Sequence, residues 1–184
     1  MGRYLAFGCL NVRSLNNKLD DLLDVRRSHS LQVLLLVETW HDSDSMAIRR
    51  LRAGGFSVIE RARPRRVVDP LSVNHGGVAI VAAPGIHLTV IDIGLQPSTF
   101  EVVASRVGSA TSSCIVAVLY RPGSSTLTAA FYTEFGHLLD LLAVSQSDAE
   151  CRGSHIRRWR HTGRGVHTLR LAATSCRHHR RRSV

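Results

Sequence analysis

Three polar residues stand where apolar runs end, and their types are those of phosphate and metal chemistry. Asn11 closes the run from Tyr4 in Leu10-Asn11-Val12-Arg13-Ser14, and Glu38 closes Leu31 to Val37 and leads into Thr39-Trp40. Tyr120 ends the run from Cys114 in Leu119-Tyr120-Arg121-Pro122-Gly123. An α/β scaffold presents its reactive groups at such strand ends. A carboxylate there suits a hard cation such as Mg2+ or Mn2+, which takes oxygen ligands and keeps several waters. A neighbouring amide orients a phosphate or a metal-held water, and a phenol or an arginine bonds phosphate oxygens. Singly, each residue reads more simply as a solvated loop start, so the ordered set carries the meaning.

The elements that must position them follow from periodicity. Tyr4 to Cys9 is expected as a strand, and Leu15, Leu19, Leu22 and Leu23 mark one face of a helix that Asn16 could cap. The nearly unbroken apolar run Leu31 to Val37 predicts a strand buried on both faces. A short helix is expected from Ser45 to Ala53, with Asp44 as N-cap and Gly54-Gly55 as its stop. Strands are expected at Phe56 to Arg61, Gly77 to Ala83, Ile86 to Ile91, Phe100 to Val107 and Cys114 to Tyr120, the last four spaced like a meander. Arg63 to Val73 reads as an irregular loop, and Leu127, Phe131, Phe135, Leu138 and Leu142 define a last amphipathic helix starting near Ser125 or Thr126. The pattern is that of an α/β (α+β) domain over residues 1–143.

Charge divides the chain at the same place. Of 24 basic residues, ten are arginines in 151–184, a stretch with no lysine and no acid; the remaining fourteen balance fourteen acids. The +10 excess therefore belongs to the end of the chain, where it would attract nucleic acid through phosphate contacts. Residues 144–184 show no sustained period of 2 or 3.6 and are expected without regular structure, as an Arg/His-rich tail. Hydrophobic residues make up 44% of the chain, which argues against general disorder. Cys9, Cys114, Cys151 and Cys176 form no close pair and read as thiols of a reducing compartment. No run approaches the ~20 apolar residues of a membrane span, and Met1 to Leu10 is unlike a signal peptide, so an intracellular chain without a membrane partner is expected.

In order, strand-Asn11, helix, strand-Glu38-Thr39-Trp40, the Gly76-Gly77-Val78-Ala79-Ile80-Val81 strand and the strand ending Tyr120-Arg121-Pro122-Gly123 resemble the endonuclease/exonuclease/phosphatase superfamily. The wording around Asn11, Glu38 and Tyr120 is most similar to the endonuclease domain of LINE-type, non-LTR retrotransposons, and the resemblance covers roughly residues 3–143. It implies a four-layer α/β sandwich that cuts phosphodiesters in a DNA duplex with a divalent metal and works in the nucleus. Carried across, Glu38 is the metal ligand, Asn11 helps hold the metal and phosphate, and Tyr120 contacts the scissile phosphate. Arg13 and Arg121 are candidates for the DNA backbone.

The departures matter equally. Members of the family continue past the last helix into Gly-Asp-Phe-Asn, which orients the nucleophile, and later into Ser-Asp-His. Neither motif occurs in these 184 residues; Ser145-Gln146-Ser147-Asp148 stands after the helix instead. The expectation is a domain truncated within its fold, supplying about one of two sheets with one sheet face uncovered, and with little activity. A shifted reading frame or abnormal splice would account for such a tail. The alternative is a protein that binds nucleic acid through the tail without catalysis. The tail histidines and cysteines match no zinc-finger spacing. Arg61, Arg63, Arg65 and Arg66 read as a solvated loop before a DNA groove, Trp40 as packing, and Gly76-Gly77 as a tight strand start, since no helix follows to make it a phosphate loop.

Overall fold

The computed structural model describes residues 4–42, 45–64, 75–109, 112–124, 126–147, 154–162 and 166–173. The chain runs β1 (Tyr4–Asn11), α1 (Leu15–Ser28), β2 (Val33–Val37), α2 (Met46–Ala53), β3 (Ser57–Arg61), β4 (Val78–Ala82), β5 (His87–Val90), β6 (Glu101–Ser109), β7 (Ser112–Tyr120), α3 (Ala129–Ser147), β8 (Ser154–Thr162) and β9 (Val166–Ala173). A six-stranded sheet has the order β3-β4-β2-β1-β9-β8, and a three-stranded meander has β5-β6-β7.

Alternation along the strands builds three apolar layers between four layers of elements. Ala6 and Leu10 of β1, Leu34 and Leu36 of β2, and Ala79 and Val81 of β4 pack under α1 and α2 with Leu15, Leu19, Leu22, Ile48 and Leu51. The alternate residues Phe7, Val33, Leu35, Val78 and Ile80 meet Val103, Val107, Val116 and Val118 of the small sheet. The outer face of that sheet, Val102 and Ala104, receives Leu138 of α3, with Phe131 and Leu142 beside it. This explains the unbroken apolar run of β2: it is central and covered on both faces.

The expectation of a single sheet with a bare face is corrected. Both sheets are present and face each other, because β5, β6 and β7 leave the first sheet and close over it instead of extending it. The tail also differs from expectation. Residues 154–162 and 166–173 form an antiparallel hairpin whose second strand pairs with β1 from Tyr4↔Ala172 to Leu10↔Val166. An edge strand offers a row of unpaired backbone groups, and β1 has such an edge opposite β2; the only local signal is the short apolar stretch 169–173. The last helix likewise runs past Ala143 to Ser147.

Caps differ in detail. Asn16 does not cap α1; its Oδ1 accepts from Ser45 Oγ at 2.6 Å and from Ala47 N at 3.2 Å, capping the start of α2 across 31 residues. Ser45 takes the N-cap position of α2, and Asp44 lies outside the described residues, as do Arg65 and Arg66, Ser125, Cys151 and Cys176. Thr128 Oγ1 accepts from Phe131 N at 3.3 Å and so caps α3. Cys9 and Cys114 are half-buried at the layer between the sheets, and burial raises the Cys9 thiol above its ordinary value. Among the described residues no helix is long and apolar enough to cross a membrane.

Candidate functional site at the C-terminal ends of the parallel strands

Strands β1 and β2 are parallel, and their register places Asn11 opposite Val37. Both polar residues therefore leave the sheet at its carboxyl end, where open α/β sheets bind ligands. Period-two alternation puts Asn11 on the same face as Phe7 and Cys9, and Tyr120 on the same face as Val116 and Val118: both project into the space between the sheets. Strict alternation after Val37 would send Glu38 toward the helices. Its backbone instead takes φ +53, a left-handed conformation that turns the side chain back.

The three side chains meet. Asn11 Nδ2 donates to Glu38 Oε1 at 2.7 Å, and the Tyr120 phenol donates to the same oxygen at 2.9 Å. Arg13 Nε lies 4.0 Å from Glu38 Oε2, with the Arg13 side chain exposed. Burial, and then the hydrogen bond to Glu38, holds the Tyr120 phenol above its ordinary value. Arg121 is not brought to this group: it donates to Pro122 O at 3.2 Å and its guanidinium lies 5.9 Å from the Phe131 ring on α3.

Two polar relays flank the cluster, and sequence reasoning missed both. In the first, Thr39 Oγ1 and His41 Nδ1 are 2.6 Å apart and His41 Nε2 and Glu60 Oε2 are 3.0 Å apart, with Arg52 of α2 at 3.7 Å from Glu60 Oε1. Thr39 and His41 are fully buried. The bond from His41 is the main reason that the Glu60 carboxyl sits below its ordinary value. In the second, Glu101 accepts from Arg63 Nε and, at 2.5 Å, from Gly77 N, while the Arg63 guanidinium lies 5.9 Å from the Tyr120 ring centroid. The sequence suggests a solvated loop residue at Arg63, but only a third of its side chain is exposed and it is held by Glu101 beside the Tyr120 ring.

The two glycines make room for these relays. A Cβ on Gly77 would fall 2.5 Å from Thr39 Oγ1, and one on Gly76 would fall 2.4 Å from the Arg63 guanidinium carbon. Both glycines have positive φ, as expected of a tight strand start. Four of the five non-glycine residues with positive φ among the described residues are Arg13, Ser14, Glu38 and Trp40. Strain of about 1–3 kcal/mol per such residue, gathered at one place, is a mark of functional sites. Trp40 packs edge-on against His75 with ring centroids 4.4 Å apart.

The donors around Glu38 suit some divalent cations and not others. Among the described residues no group of three His, Cys, Asp or Glu side chains converges. Glu38 Oε1 is held by two donors, which leaves Oε2 as the carboxylate oxygen on the Arg13 side. One fixed carboxylate oxygen fits Mg2+, which binds through one or two carboxylates and retains waters; it does not fit zinc or a closed calcium cage.

No protein-family model matches the chain, and comparison with curated proteins finds no match in sequence. Solved structures are similar in fold. The 3′-5′ exonuclease NExo from Neisseria meningitidis matches with TM-score 0.51 and 18% identity over 83% of this chain and 56% of that one. The human nocturnin catalytic domain with bound sulfate matches with TM-score 0.55 and 17% identity over 79% and 62%. TDP2 from D. rerio, complexed with a single-strand DNA product, matches with TM-score 0.55 and 8% identity over 92% and 84%. At these identities the likeness is one of fold. The chain has the endonuclease/exonuclease/phosphatase type of fold, and it spans less than two thirds of NExo and of nocturnin.

Proposed function

We propose that the chain carries the metal- and phosphate-holding half of a divalent-metal phosphodiesterase site, of the kind found in the DNA endonuclease domains of LINE-type retrotransposons. The observation that carries this reading is the convergence of Asn11 and Tyr120 on one oxygen of Glu38. Glu38 Oε2 would hold Mg2+, which supplies charge neutralisation at the phosphate and a polarised oxygen, worth several kcal/mol in the transition state. Asn11 and Tyr120 fix the carboxylate, and Arg13, beside its other oxygen, would join the Tyr120 phenol in meeting a phosphate. Arg121, on the α3 side, stays a candidate for contact with the DNA backbone away from the cluster.

The proposed half-site unit runs through α3 to Ser147, with the hairpin of 154–173 joined to its β1 edge. No Gly-Asp-Phe-Asn or Ser-Asp-His follows α3 in the sequence, and general acid–base groups typically contribute about 10²–10⁴-fold. These 184 residues by themselves are therefore expected to turn over little, and the DNA partner and nuclear location are proposals that rest on the same reading. A plasmid-nicking assay with Mg2+, comparing this chain with Glu38→Ala, tests it. No nicking by either supports an inactive half-site; nicking by the parent alone keeps the site and overturns the inactivity.

A second reading rests on the ten arginines and absent acids of 151–184: a non-catalytic nucleic-acid-binding protein. Replacing Arg177, Arg180, Arg181 and Arg182 by Gln leaves the strand residues unchanged. Loss of duplex binding in that variant, with binding retained in Glu38→Ala, favours this reading.

A further inference from the structure

We propose that His41 is the positioning residue of this site: through Thr39 it holds the left-handed turn that aims Glu38 between the sheets. The inference rests on the metal-holding role given to Glu38, and it adds a residue that the nuclease resemblance does not assign.

The geometry is a wedge built from both ends. The backbone exit of β2 is hydrogen-bonded on each side, with Val12 N to Val37 O at 3.0 Å, Ser14 N to Glu38 O at 3.0 Å and Leu15 N to Thr39 O at 2.8 Å toward β1. Toward β4, Thr39 N reaches Gly77 O at 3.3 Å and Trp40 N reaches Gly76 O at 2.8 Å. Those bonds fix where the strand ends, yet the conformation that they enclose is unfavourable: Glu38 at φ +53 and Trp40 at φ +49 flank Thr39. A side-chain force on Thr39 is what selects the turn over an extended continuation.

His41 supplies it. The imidazole is fully buried and is held at both nitrogens. With the ring proton on Nε2, Nε2–H donates to the Glu60 carboxylate and the Thr39 hydroxyl donates to Nδ1, so both ring nitrogens are used. Glu60 shares its strand face with Val58, on the helix side of the sheet, where Arg52 pairs with its other oxygen. The relay Arg52, Glu60, His41, Thr39 thus runs from α2 to the residue next to Glu38. It closes against Gly77, where an added Cβ would fall 2.5 Å from Thr39 Oγ1 and 3.3 Å from His41 Nδ1. A buried polar network that is fully satisfied specifies one arrangement, and one left half-satisfied does not. Outer residues that orient a metal ligand typically change affinity by about 10–100-fold when removed.

Two readouts on the full chain test the proposal, one needing metal and one not. Mn2+ alone is titrated and followed by the electron spin resonance of the free ion, and the Asn11 side-chain amide, which donates to Glu38, is followed by 15N nuclear magnetic resonance. The expected result is that Thr39→Val and His41→Phe weaken Mn2+ by about 10-fold or more and move the Asn11 amide pair, while Thr39→Ser and Glu60→Gln restore both. Leu22→Ala, which destabilises α1 away from the turn, leaves both readouts in place. Unchanged Mn2+ affinity and an unmoved Asn11 amide in folded Thr39→Val overturn the positioning role while the metal reading stands. If the parent does not bind Mn2+, or binds it equally in Glu38→Gln, the metal reading fails and the Asn11 amide alone decides the role of His41. Should the buried variants not fold, Glu60→Ala on the sheet edge gives the same comparison, with an unmoved amide counting against the proposal.

Discussion

The Tyr120 phenol donates to Glu38 Oε1 at 2.9 Å, and that bond ties the end of the three-stranded sheet to the carboxyl end of the six-stranded one. Asn11 reaches the same oxygen from β1. The carboxylate is therefore fixed by donors from both sheets before any ligand arrives, which is the preorganisation that makes electrostatic stabilisation effective.

Removing the phenol tests that tie. Tyr120→Phe is expected to cost about 1 kcal/mol in denaturant unfolding, the net worth of one hydrogen bond. Its pH dependence has a definite sign. The folded Tyr120 value is raised by burial and by Glu38, so its stabilisation is whole below the unfolded value near 10 and is lost as pH rises through the folded value. The parent should lose stability above pH 10 more steeply than Tyr120→Phe, and the variant should lack the late phenol in titration at 295 nm. Identical slopes would sink the assignment.

What could be seen in the sequence were the residues whose neighbours in the chain betray them. Asn11, Glu38 and Tyr120 interrupt apolar runs, so their position at strand ends follows from local pattern. His41, Glu60, Arg63 and Glu101 give no such signal. His41 and Glu60 are 19 residues apart and Arg63 and Glu101 are 38 apart, and they meet only because β4 inserts between β2 and β3 while β6 folds over the sheet. The meander spacing was visible, but not that a new sheet begins after β4. Nor could it be foreseen that Asn16 would cap α2, since a capping side chain reads the same whichever helix it serves.

The paired glycines separate steric room from backbone conformation. Both have positive φ, so alanine is strained at either position, costing about 1 kcal/mol or more. At Gly76 the obstacle is the far end of the Arg63 side chain, which can swing away once it releases Glu101. At Gly77 the obstacle is a buried threonine in a closed relay. Gly77→Ala should therefore lower the urea midpoint more than Gly76→Ala. Arg63→Ala should relieve part of the cost of Gly76→Ala and none of that of Gly77→Ala, and equal relief in both would show that the two glycines serve one network.

A bound metal should register as stability. If Glu38 holds Mg2+ or Mn2+, saturating metal raises the unfolding free energy by about 2.7 kcal/mol at a hundredfold excess over Kd. The same addition leaves Glu38→Gln where it was, and chelation reverses the parent's gain. Thermal unfolding with and without Mn2+ measures this directly, and an equal rise in Glu38→Gln would mean that the ion binds elsewhere.

The first half of α3 is clasped by one carboxylate to the segment that leads into β6. Glu134 accepts from Ser98 N at 2.9 Å and Ser98 Oγ at 2.8 Å with one oxygen, and from Thr99 N at 3.0 Å and Thr99 Oγ1 at 2.5 Å with the other. The Thr99 hydroxyl, followed by the Ser98 amide, holds the carboxyl down to about 2 from an ordinary 4.5. Because the folded value is depressed, the clasp contributes fully above pH 4.5 and is lost as pH falls toward 2. Its failure should release α3 first, since Leu138, Phe131 and Leu142 are the apolar contacts beneath it. Urea midpoints measured between pH 2 and 5 should fall for the parent and much less for Glu134→Gln, so that the two curves converge at the acid end. Amide exchange in 129–147 should quicken in Glu134→Gln at neutral pH while that of β2 and β4 is unchanged. Parallel midpoint curves, or protection of α3 equal to the parent's, would show that the helix is held by its apolar face and the Arg106 bond to Ser145 O without the clasp.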